Sequence, residues 1–221
     1  KGFTRNSKRR EIIMKLLFQG DSITDAGRYT EVGTGVRDSS LGAGYVKLIA
    51  NRLLCDSPEK NYEIINRGIS GNRIVDLYAR WKADCINLAP DVLTILIGVN
   101  DTWHERGGQN GVEVPRYERF YRELIEWTLS ALPNIKIILM TPFANPVNDH
   151  IASFFPEVNE RQEVVEKLAK EFSLPCVKLH EDFEAANARA PMEYWTPDGV
   201  HPSGAGHQMI ADAWLKAFAQ L

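Results

Sequence analysis

The sequence predicts an α/β fold in which a parallel sheet is covered by helices on both faces. Short apolar runs rich in β-branched residues alternate along the chain with longer segments whose apolar residues recur at helical spacing. Strands that alternate with helices form βαβ units with right-handed crossovers, and such units build parallel sheets. Because the runs are apolar at nearly every position, they favour strands buried on both faces.

The predicted strands and helices alternate in chain order. The strands are short apolar runs and occupy residues 12–18, 62–66, 92–97, 135–140 and 175–179. The helical segments place apolar side chains on one face and occupy residues 45–54, 73–88, 116–132, 158–172 and 205–221. The stretch 25–44 has no clear period and is rich in glycine and polar residues, which is typical of a functional loop.

Composition and charge narrow the class of protein. The 221 residues include 26 basic and 29 acidic side chains, for a net charge of −3. This near balance gives no electrostatic reason to expect nucleic acid or an anionic membrane as a partner. No apolar run approaches the roughly 20 residues that cross a bilayer, which argues against a membrane-spanning protein. We predict a single domain over residues 12–221, preceded by a polar extension at residues 1–11.

The cysteines indicate a reducing compartment. Cys55, Cys85 and Cys176 are odd in number and far apart. The absence of a CxxC pair excludes a zinc ribbon and a dithiol redox site. Three free thiols favour a cytoplasmic location. The basic segment 1–11 lacks the apolar centre of a signal peptide, while a cleaved signal upstream of Lys1 is left open.

Polar residues gather at the ends of the predicted strands and before the last helix. They lie in segments 20–25, 68–72, 98–101 and 198–202. In an open α/β sheet, ligands bind beyond the carboxyl ends of the strands. The four segments offer a hydroxyl, backbone amides, a carboxamide, and a carboxylate beside an imidazole. These are the groups of an acyl-transfer site.

Each group has a distinct chemical role. The hydroxyl of Ser22 is a weak nucleophile and needs a base within hydrogen-bond reach. His201 is the candidate base, because an imidazole titrates close to neutral pH. Asp198, shortly before it on a turn, can orient the ring and stabilise the imidazolium. The N–H groups of Ser22 and Gly71 and the side chain of Asn100 can bind the oxyanion.

The same residues have ordinary structural interpretations. Ser22 alone is typical of a helix N-cap, Gly71 of a turn, and Asn100-Asp101 of a loop or cap pair. Their joint occurrence, in the right order at the ends of successive strands, favours the catalytic interpretation.

Together the four segments resemble the sequence blocks of the GDSL, or SGNH, hydrolase family. Residues 20–23 match the first block, with Ile23 in place of its leucine. Gly71 matches the second-block glycine, residues 98–101 the GxND block and residues 198–201 the DxxH block. The resemblance covers nearly the whole chain. It implies a three-layer α/β/α sandwich around a flavodoxin-like, parallel, five-stranded sheet of order 2-1-3-4-5.

The resemblance also implies site residues and an activity. The implied nucleophile is Ser22, with Asp198 and His201 as its partners and with Ser22, Gly71 and Asn100 as oxyanion donors. Within the family, several stretches are similar to bacterial acetyl esterases that act on xylan and other acetylated sugars. These stretches are residues 20–28, 42–45, 66–72, 101–103 and 140–143. The implied function is a serine esterase that removes small acyl groups, above all acetyl, from carbohydrates such as xylo-oligosaccharides through an acyl-enzyme, without a cofactor.

Further residues are candidates for substrate contact. Trp103 and Trp195 lie close to the catalytic segments, and aromatic faces pack well against sugar rings. Asp21 and Arg28 flank the nucleophile closely. Asp25 has two interpretations, a substrate contact or a local ion pair with Arg28.

No metal or cofactor site is predicted. His104, His150, His180 and His207 lack the spacing of metal ligands, and the chain carries no dinucleotide fingerprint. His104 is a candidate for lining the site, whereas the other three are expected to be structural. The predicted partner is a small-molecule or oligosaccharide ester. The oligomeric state is left open, a homo-oligomer included.

Three alternatives remain. A lysophospholipase or thioesterase of the same family needs a long apolar channel, and the polar, glycine-rich stretch 25–44 argues against one. A non-catalytic carbohydrate-binding relative is expected to have lost a triad or oxyanion residue, and none is missing. A phosphatase or nucleotide-binding protein needs a P-loop or metal-binding carboxylates, and neither is visible.

Overall fold

The centre of the fold is a sheet of five parallel strands. The computed structural model describes residues 14–30 and 38–221. The strands are β1 (Met14–Gly20), β2 (Tyr62–Asn66), β3 (Val92–Leu96), β4 (Lys136–Met140) and β5 (Cys176–Val177). They pair in parallel in the order β2-β1-β3-β4-β5. This confirms the order implied by the family resemblance.

Helices follow the strands and cover the sheet. In chain order they are α1 (Ser22–Asp25), α2 (Tyr45–Asp56), α3 (Ile74–Asp84), α4 (Val99–Gly108), α5 (Val114–Ala131), α6 (Asp149–Ala152), α7 (Glu157–Glu171), α8 (Leu179–Asn187), α9 (Met192–Trp195) and α10 (Gly204–Phe218). Short 3₁₀ turns occupy Asp38–Leu41, Pro58–Lys60 and Ile86–Leu88.

Both faces of the sheet are buried, because successive side chains of a strand point to opposite sides. On β1, Leu16 and Phe18 pack in one apolar cluster and Leu17 packs in the other. Ile138 and Ile137 of β4 divide between the same two clusters. The first cluster includes residues of α2, α8 and α10, and the second includes residues of α3, α5 and α7. The three-layer α/β/α arrangement is therefore confirmed.

The last helix is fixed to the sheet by Trp214. Its side chain is fully buried, and its ring centroid lies 5.2 Å from that of Phe18 on β1. Nε1 of Trp214 donates to Oγ1 of Thr94 on β3 at 2.8 Å. Replacing such an aromatic residue with alanine costs about 3–5 kcal/mol, so α10 is held firmly against the strands.

The predicted elements differ from the observed ones in several places. The predicted helix over 73–88 is α3 followed by a 3₁₀ turn, because Cys85 leaves the helical region at φ −134°. The edge strand β5 keeps two residues, since only Cys176 and Val177 pair with β4. Helices α4 and α8 and the single-turn helices α1, α6 and α9 were not predicted. Helices α4 and α8 both begin directly after a strand region.

Some expectations lie beyond the described residues. The predicted extension at residues 1–11, the first two residues of the predicted first strand and part of the stretch 25–44 are outside them. Within residues 14–30 and 38–221, no helix is both long enough and apolar enough to cross a bilayer.

Candidate active site

The hydroxyl of Ser22 belongs to a chain of hydrogen bonds at the carboxyl edge of the sheet. Its Oγ lies 2.8 Å from Nε2 of His201, and Nδ1 of His201 lies 2.6 Å from Oδ2 of Asp198. Burial would raise the pKa of Asp198, but hydrogen bonds from the ring and N–H of His201 and the N–H of Val200 hold it below its usual value. An ionised carboxylate can only accept. Nδ1 therefore carries the proton, and Nε2 is left to accept from Ser22.

The turn that carries Asp198 and His201 is closed by hydrogen bonds from its backbone N–H groups to the side chain of Asp198. Oδ1 of Asp198 accepts from the N–H of Val200 at 2.9 Å and from the N–H of His201 at 2.7 Å. Gly199 has φ +89°, and a Cβ there would lie 2.5 Å from the carbonyl oxygen of Asn145. The N–H of Asn145 donates to the carbonyl of Gly199 at 2.7 Å. Glycine is therefore required at this position, and the turn is tied to the segment after β4.

Ser22 is presented by a sharp change from strand to helix. It is the first residue of α1, and the preceding Asp21 caps this helix with its side chain. The Asp21 side chain is buried, and burial raises its pKa to about 7. At Gly20, a Cβ would lie 2.4 Å from the carbonyl oxygen of Leu96 on β3. The small residue lets the chain turn close to the neighbouring strand.

The predicted oxyanion donors line one cavity together with His201. These donors are the N–H groups of Ser22 and Gly71 and the carboxamide of Asn100. Among the described residues, no acceptor binds the N–H of Ser22 or of Gly71. Nδ2 of Asn100 donates to the carbonyl of Asn72 at 3.2 Å, which leaves its second hydrogen for an oxyanion.

The cavity has a volume of about 660 Å³. It is lined by Ser22, Ser70, Gly71, Asn100, Trp103, His104, Gly107, Gly108, Asn110 and His201. The ring centroid of Trp103 lies 6.0 Å from that of His201, and His104 lines the cavity as expected. The space exceeds what an acetyl group fills, so the cavity has room for part of the alcohol of an ester.

Three of the four predicted substrate contacts lie outside the cavity lining. Asp21 is buried as the cap of α1. Nε of Arg28 donates to a backbone carbonyl at 2.6 Å. Trp195 is 8% exposed, and its Nε1 donates to the backbone of α8 at 3.1 Å. The side chains of these three residues take part in helix capping, loop closure and packing, and Trp103 is the one of the four that lines the cavity.

Asp101, which the sequence indicated only as part of a loop or cap pair, has a supporting role in the structure. Its side chain is fully buried, and its two carboxylate oxygens lie 3.1 and 3.3 Å from the N–H of Ile74, at the start of α3. Burial raises its pKa to about 8, against the opposing charge of Arg161. The side chain thus joins α4, which carries Asn100, to the helix that follows Gly71. The sequence signal for this role was the position of Asp101, directly after Asn100 and at the end of a buried strand region.

One cluster of potential metal ligands lies away from the cavity. Ligand atoms of Glu166, His180 and Glu181 come within 4.8 Å of one another. Nζ of Lys178 binds a carboxylate oxygen of Glu166 at 2.8 Å and one of Glu181 at 2.9 Å. The ammonium group therefore already supplies positive charge between the two carboxylates.

The site has the components of a serine hydrolase. A serine, a histidine and an aspartate form one hydrogen-bonded chain at the carboxyl edge of a parallel sheet, beside two N–H groups that have no acceptor in the described part of the chain. Residues 18–209 match the model of the GDSL-like lipase/acylhydrolase family, and the chain belongs to this family. The resemblance inferred from the sequence is confirmed, and the chain is a carboxylic ester hydrolase.

Known proteins are similar over almost the whole chain. An acetylxylan esterase from Geobacillus stearothermophilus is 37% identical over 207 residues, which cover 91% of this chain and 92% of that protein. A structure from Parabacteroides merdae matches with a TM-score of 0.88 and 41% identity, over 93% of this chain and 95% of that one. Axe2 from Geobacillus stearothermophilus, an acetylxylan esterase, matches with a TM-score of 0.80 and 35% identity, over 92% and 93%.

Proposed function

We propose that this protein is a serine esterase that removes acetyl groups from xylo-oligosaccharides. The observation that carries the proposal is the continuous hydrogen-bonded chain from Ser22 through His201 to Asp198 at the wall of the cavity. The choice of substrate is supported by the similarity to an acetylxylan esterase and to a variant of Axe2 described as an acetyl-xylooligosaccharide esterase.

In the first half-reaction, Ser22 becomes acetylated. Its Oγ forms a bond to the acetyl carbonyl carbon while its proton passes to Nε2 of His201. Asp198 stabilises the resulting imidazolium. The carbonyl oxygen, now negatively charged, accepts hydrogen bonds from the N–H groups of Ser22 and Gly71 and from the side chain of Asn100. The bond between the carbonyl carbon and the sugar oxygen then breaks, and the proton on Nε2 passes to that oxygen.

In the second half-reaction, water releases the acetate. His201 takes a proton from a water molecule as its oxygen attacks the acetyl carbonyl carbon. The same donors stabilise the second tetrahedral intermediate. The bond to Oγ of Ser22 breaks, and this oxygen recovers its proton from Nε2. The reaction requires no electron transfer and no group beyond the ester, water and these side chains.

The cavity lining suits a sugar ester. Trp103 contributes an aromatic ring to the lining, and Ser70, His104 and Asn110 are polar residues of the same cavity. Sugar hydroxyls can exchange hydrogen bonds with such groups, and a sugar ring can pack against the aromatic face. The lining therefore supports a carbohydrate alcohol.

Acetate release tests the proposed substrate. We expect the enzyme to release acetate from acetylated xylobiose and xylotriose, and to hydrolyse 4-nitrophenyl acetate much faster than the esters of longer acids. Acetylated glucose oligomers of matched length serve as the comparison. Faster hydrolysis of the longest acyl ester, or no acetate from any acetylated xylo-oligosaccharide, would overturn the substrate assignment.

A further inference from the structure

We propose that Asp25 is a positioning residue that holds the N–H of Gly71 in place relative to Ser22. The inference rests on the proposed function, because it assumes that Gly71 donates to the oxyanion. Asp25 does not line the cavity, so it acts through the segment that carries Gly71 and not through contact with substrate.

The carboxylate of Asp25 binds the residue that precedes Gly71. Its Oδ2 accepts from the N–H of Ser70 at 3.0 Å and from the hydroxyl of Ser70 at 2.9 Å. Its Oδ1 accepts from the N–H of Arg28 at 3.0 Å. Both oxygens are thus used, and hydrogen bonds to an ionised carboxylate are stronger than those between neutral groups.

Asp25 belongs to the same short helix as the nucleophile. Ser22 is the first residue of α1, and Asp25 is its last. The N–H of Asp25 donates to the carbonyl of Asp21 at 2.8 Å, so the helical turn that presents Ser22 also presents the carboxylate. The bonds to Ser70 cross 45 positions of sequence, and they link the nucleophile directly to the loop after β2.

The geometry of the peptide group makes Ser70 the place from which the Gly71 N–H is controlled. This N–H lies in the planar peptide unit that joins the two residues. Apart from its chain neighbours, a Cβ built on Gly71 would have one atom of the described residues within 4 Å, Nε2 of His104 at 3.9 Å. The Cβ side of Gly71 is therefore open. The N–H of Asn72 donates to the carbonyl of Ile69 at 3.1 Å and closes a turn around this peptide, and the bonds from Ser70 to Asp25 tie that turn to α1.

The far side of Gly71 is held by other elements. The carbonyl of Asn72 accepts from Nδ2 of Asn100 at 3.2 Å, and Oδ1 of Asn72 accepts from Nε of Arg80 at 2.8 Å. The segment is therefore anchored to α4 and α3 beyond Gly71 and to α1 before it. Of these anchors, Asp25 is the one that comes from the helix of the nucleophile.

Loss of the carboxylate is expected to displace a donor without removing it. Deleting an oxyanion donor typically lowers kcat by about 10²–10³. For Asp25→Ala we expect a smaller loss in kcat, about 10–100-fold, with KM little changed, because ground-state binding does not depend on this donor. Asp25→Asn retains one acceptor oxygen, so we expect a smaller loss than for Asp25→Ala.

A thionoester separates positioning of the oxyanion donor from a general structural effect. Sulfur in place of the carbonyl oxygen is larger and a weaker acceptor, so a well-placed oxyanion site prefers the oxygen ester. The test compares phenyl acetate with phenyl thionoacetate for the wild type, Asp25→Ala, Asp25→Asn and Asn100→Ala. Asp91→Ala is the matched control, since Asp91 also accepts from a backbone N–H, that of Lys15, at 2.7 Å.

We expect Asp25→Ala and Asn100→Ala to lower the preference for the oxygen ester, and Asp91→Ala to leave it unchanged. A preference that falls in Asn100→Ala but stays at the wild-type value in both Asp25 variants would overturn the positioning role and leave the proposed function standing. A preference unchanged in all variants would overturn the oxyanion site itself, and the inference with it. If Asp25→Ala does not fold, Asp25→Asn decides, with a smaller decrease expected.

Discussion

The two halves of the candidate site are built in different ways. The proton-transfer half (Asp198 and His201) has side chains that are 50% and 45% exposed, and its carboxylate is held mainly by hydrogen bonds within one turn. The oxyanion half (Ser22, Gly71 and Asn100) is held by contacts between distant segments. Nδ2 of Asn100, for example, binds a carbonyl 28 positions back in the chain.

Because of this difference, substitutions in the two halves are expected to affect turnover and stability differently. A half-exposed pair on a closed turn can lose a functional group while the core stays intact, because exposed side chains contribute little to folding. In the oxyanion half, the hydrogen bonds that orient donors also join secondary-structure elements. Changes there are expected to affect turnover and stability together.

The largest expected effect is at Ser22, where the halves meet. Ser22→Ala removes the nucleophile, and kcat is expected to fall by roughly 10⁴–10⁶ because the members of a triad act as a unit. Steady-state hydrolysis of 4-nitrophenyl acetate measures the loss. Near-normal turnover by this variant would rule out the assigned nucleophile.

The next largest loss of kcat is expected in the proton-transfer half, at His201 and Asp198. We expect His201→Ala to be about as damaging as Ser22→Ala, and Asp198→Asn to lower kcat by up to about 10⁴ because the ring loses its productive tautomer. Thermal melts of both variants should stay close to the wild type, since the side chains are half exposed. A large drop in melting temperature would break the distinction between the two halves.

Asn100→Ala tests the same comparison in the oxyanion half. Its kcat is expected to fall by about 10²–10³ with KM little changed. Its side chain is 7% exposed and binds the carbonyl of Asn72, so the variant should also lose about 1–3 kcal/mol of stability. Kinetics and melts on the same preparation test both parts. Lower stability with unchanged kcat would make Asn100 a structural residue.

The last prediction concerns the pH dependence of stability near α1 and not turnover. Nδ1 of His207 accepts from the N–H of Tyr45 at 3.2 Å, and the hydroxyl of Tyr45 lies 3.0 Å from Oγ1 of Thr24. Burial, and then the charge of His201, lowers the pKa of His207 from 6.5 to about 4. Between these values the unfolded chain binds more protons than the folded chain. The contribution is therefore complete above pH 6.5 and falls by up to roughly 3 kcal/mol as the pH approaches 4.

The variant His207→Gln isolates the contribution of His207 to stability from that of groups whose contribution changes with pH in the opposite direction. The raised pKa of Asp21 means that its folded form binds the proton more tightly, so its contribution is lost as the pH rises through about 7. His207→Gln keeps an acceptor for the N–H of Tyr45 but does not titrate. Denaturant unfolding across the same pH window should show a smaller acid-side loss for this variant than for the wild type. Equal losses would contradict the account.

The sequence predicted the segments that carry the candidate site, those of Gly71 and Asn100 included, but not the side-chain orientations that depend on packing. Asp198 and His201 are recognisable because their spacing on one turn is itself the functional feature. Trp103 and Trp195 lie equally close to catalytic segments, yet one lines the cavity and the other is buried against α8. Spacing along the sequence does not show which way an aromatic side chain points, because its orientation depends on the elements that pack around it.

The sheet was predictable for a related reason. Buried parallel strands are apolar at nearly every position, and this pattern is visible in the sequence without knowledge of their neighbours. Helix α4 was not visible, because its residues are mostly polar and have no apolar period. Helix α1 is a single turn whose cap, Asp21, becomes recognisable once the strand before it is placed.

Covalent labelling tests the central claim most directly. An organophosphonate carrying a good leaving group reacts with a serine that has both a base and oxyanion donors. After incubation, intact-mass and peptide mass spectrometry should show one phosphonyl group per chain, attached to Ser22, and little labelling of His201→Ala. Labelling at a different serine, or equal labelling of wild type and His201→Ala, would contradict the assignment of Ser22 as a nucleophile activated by His201.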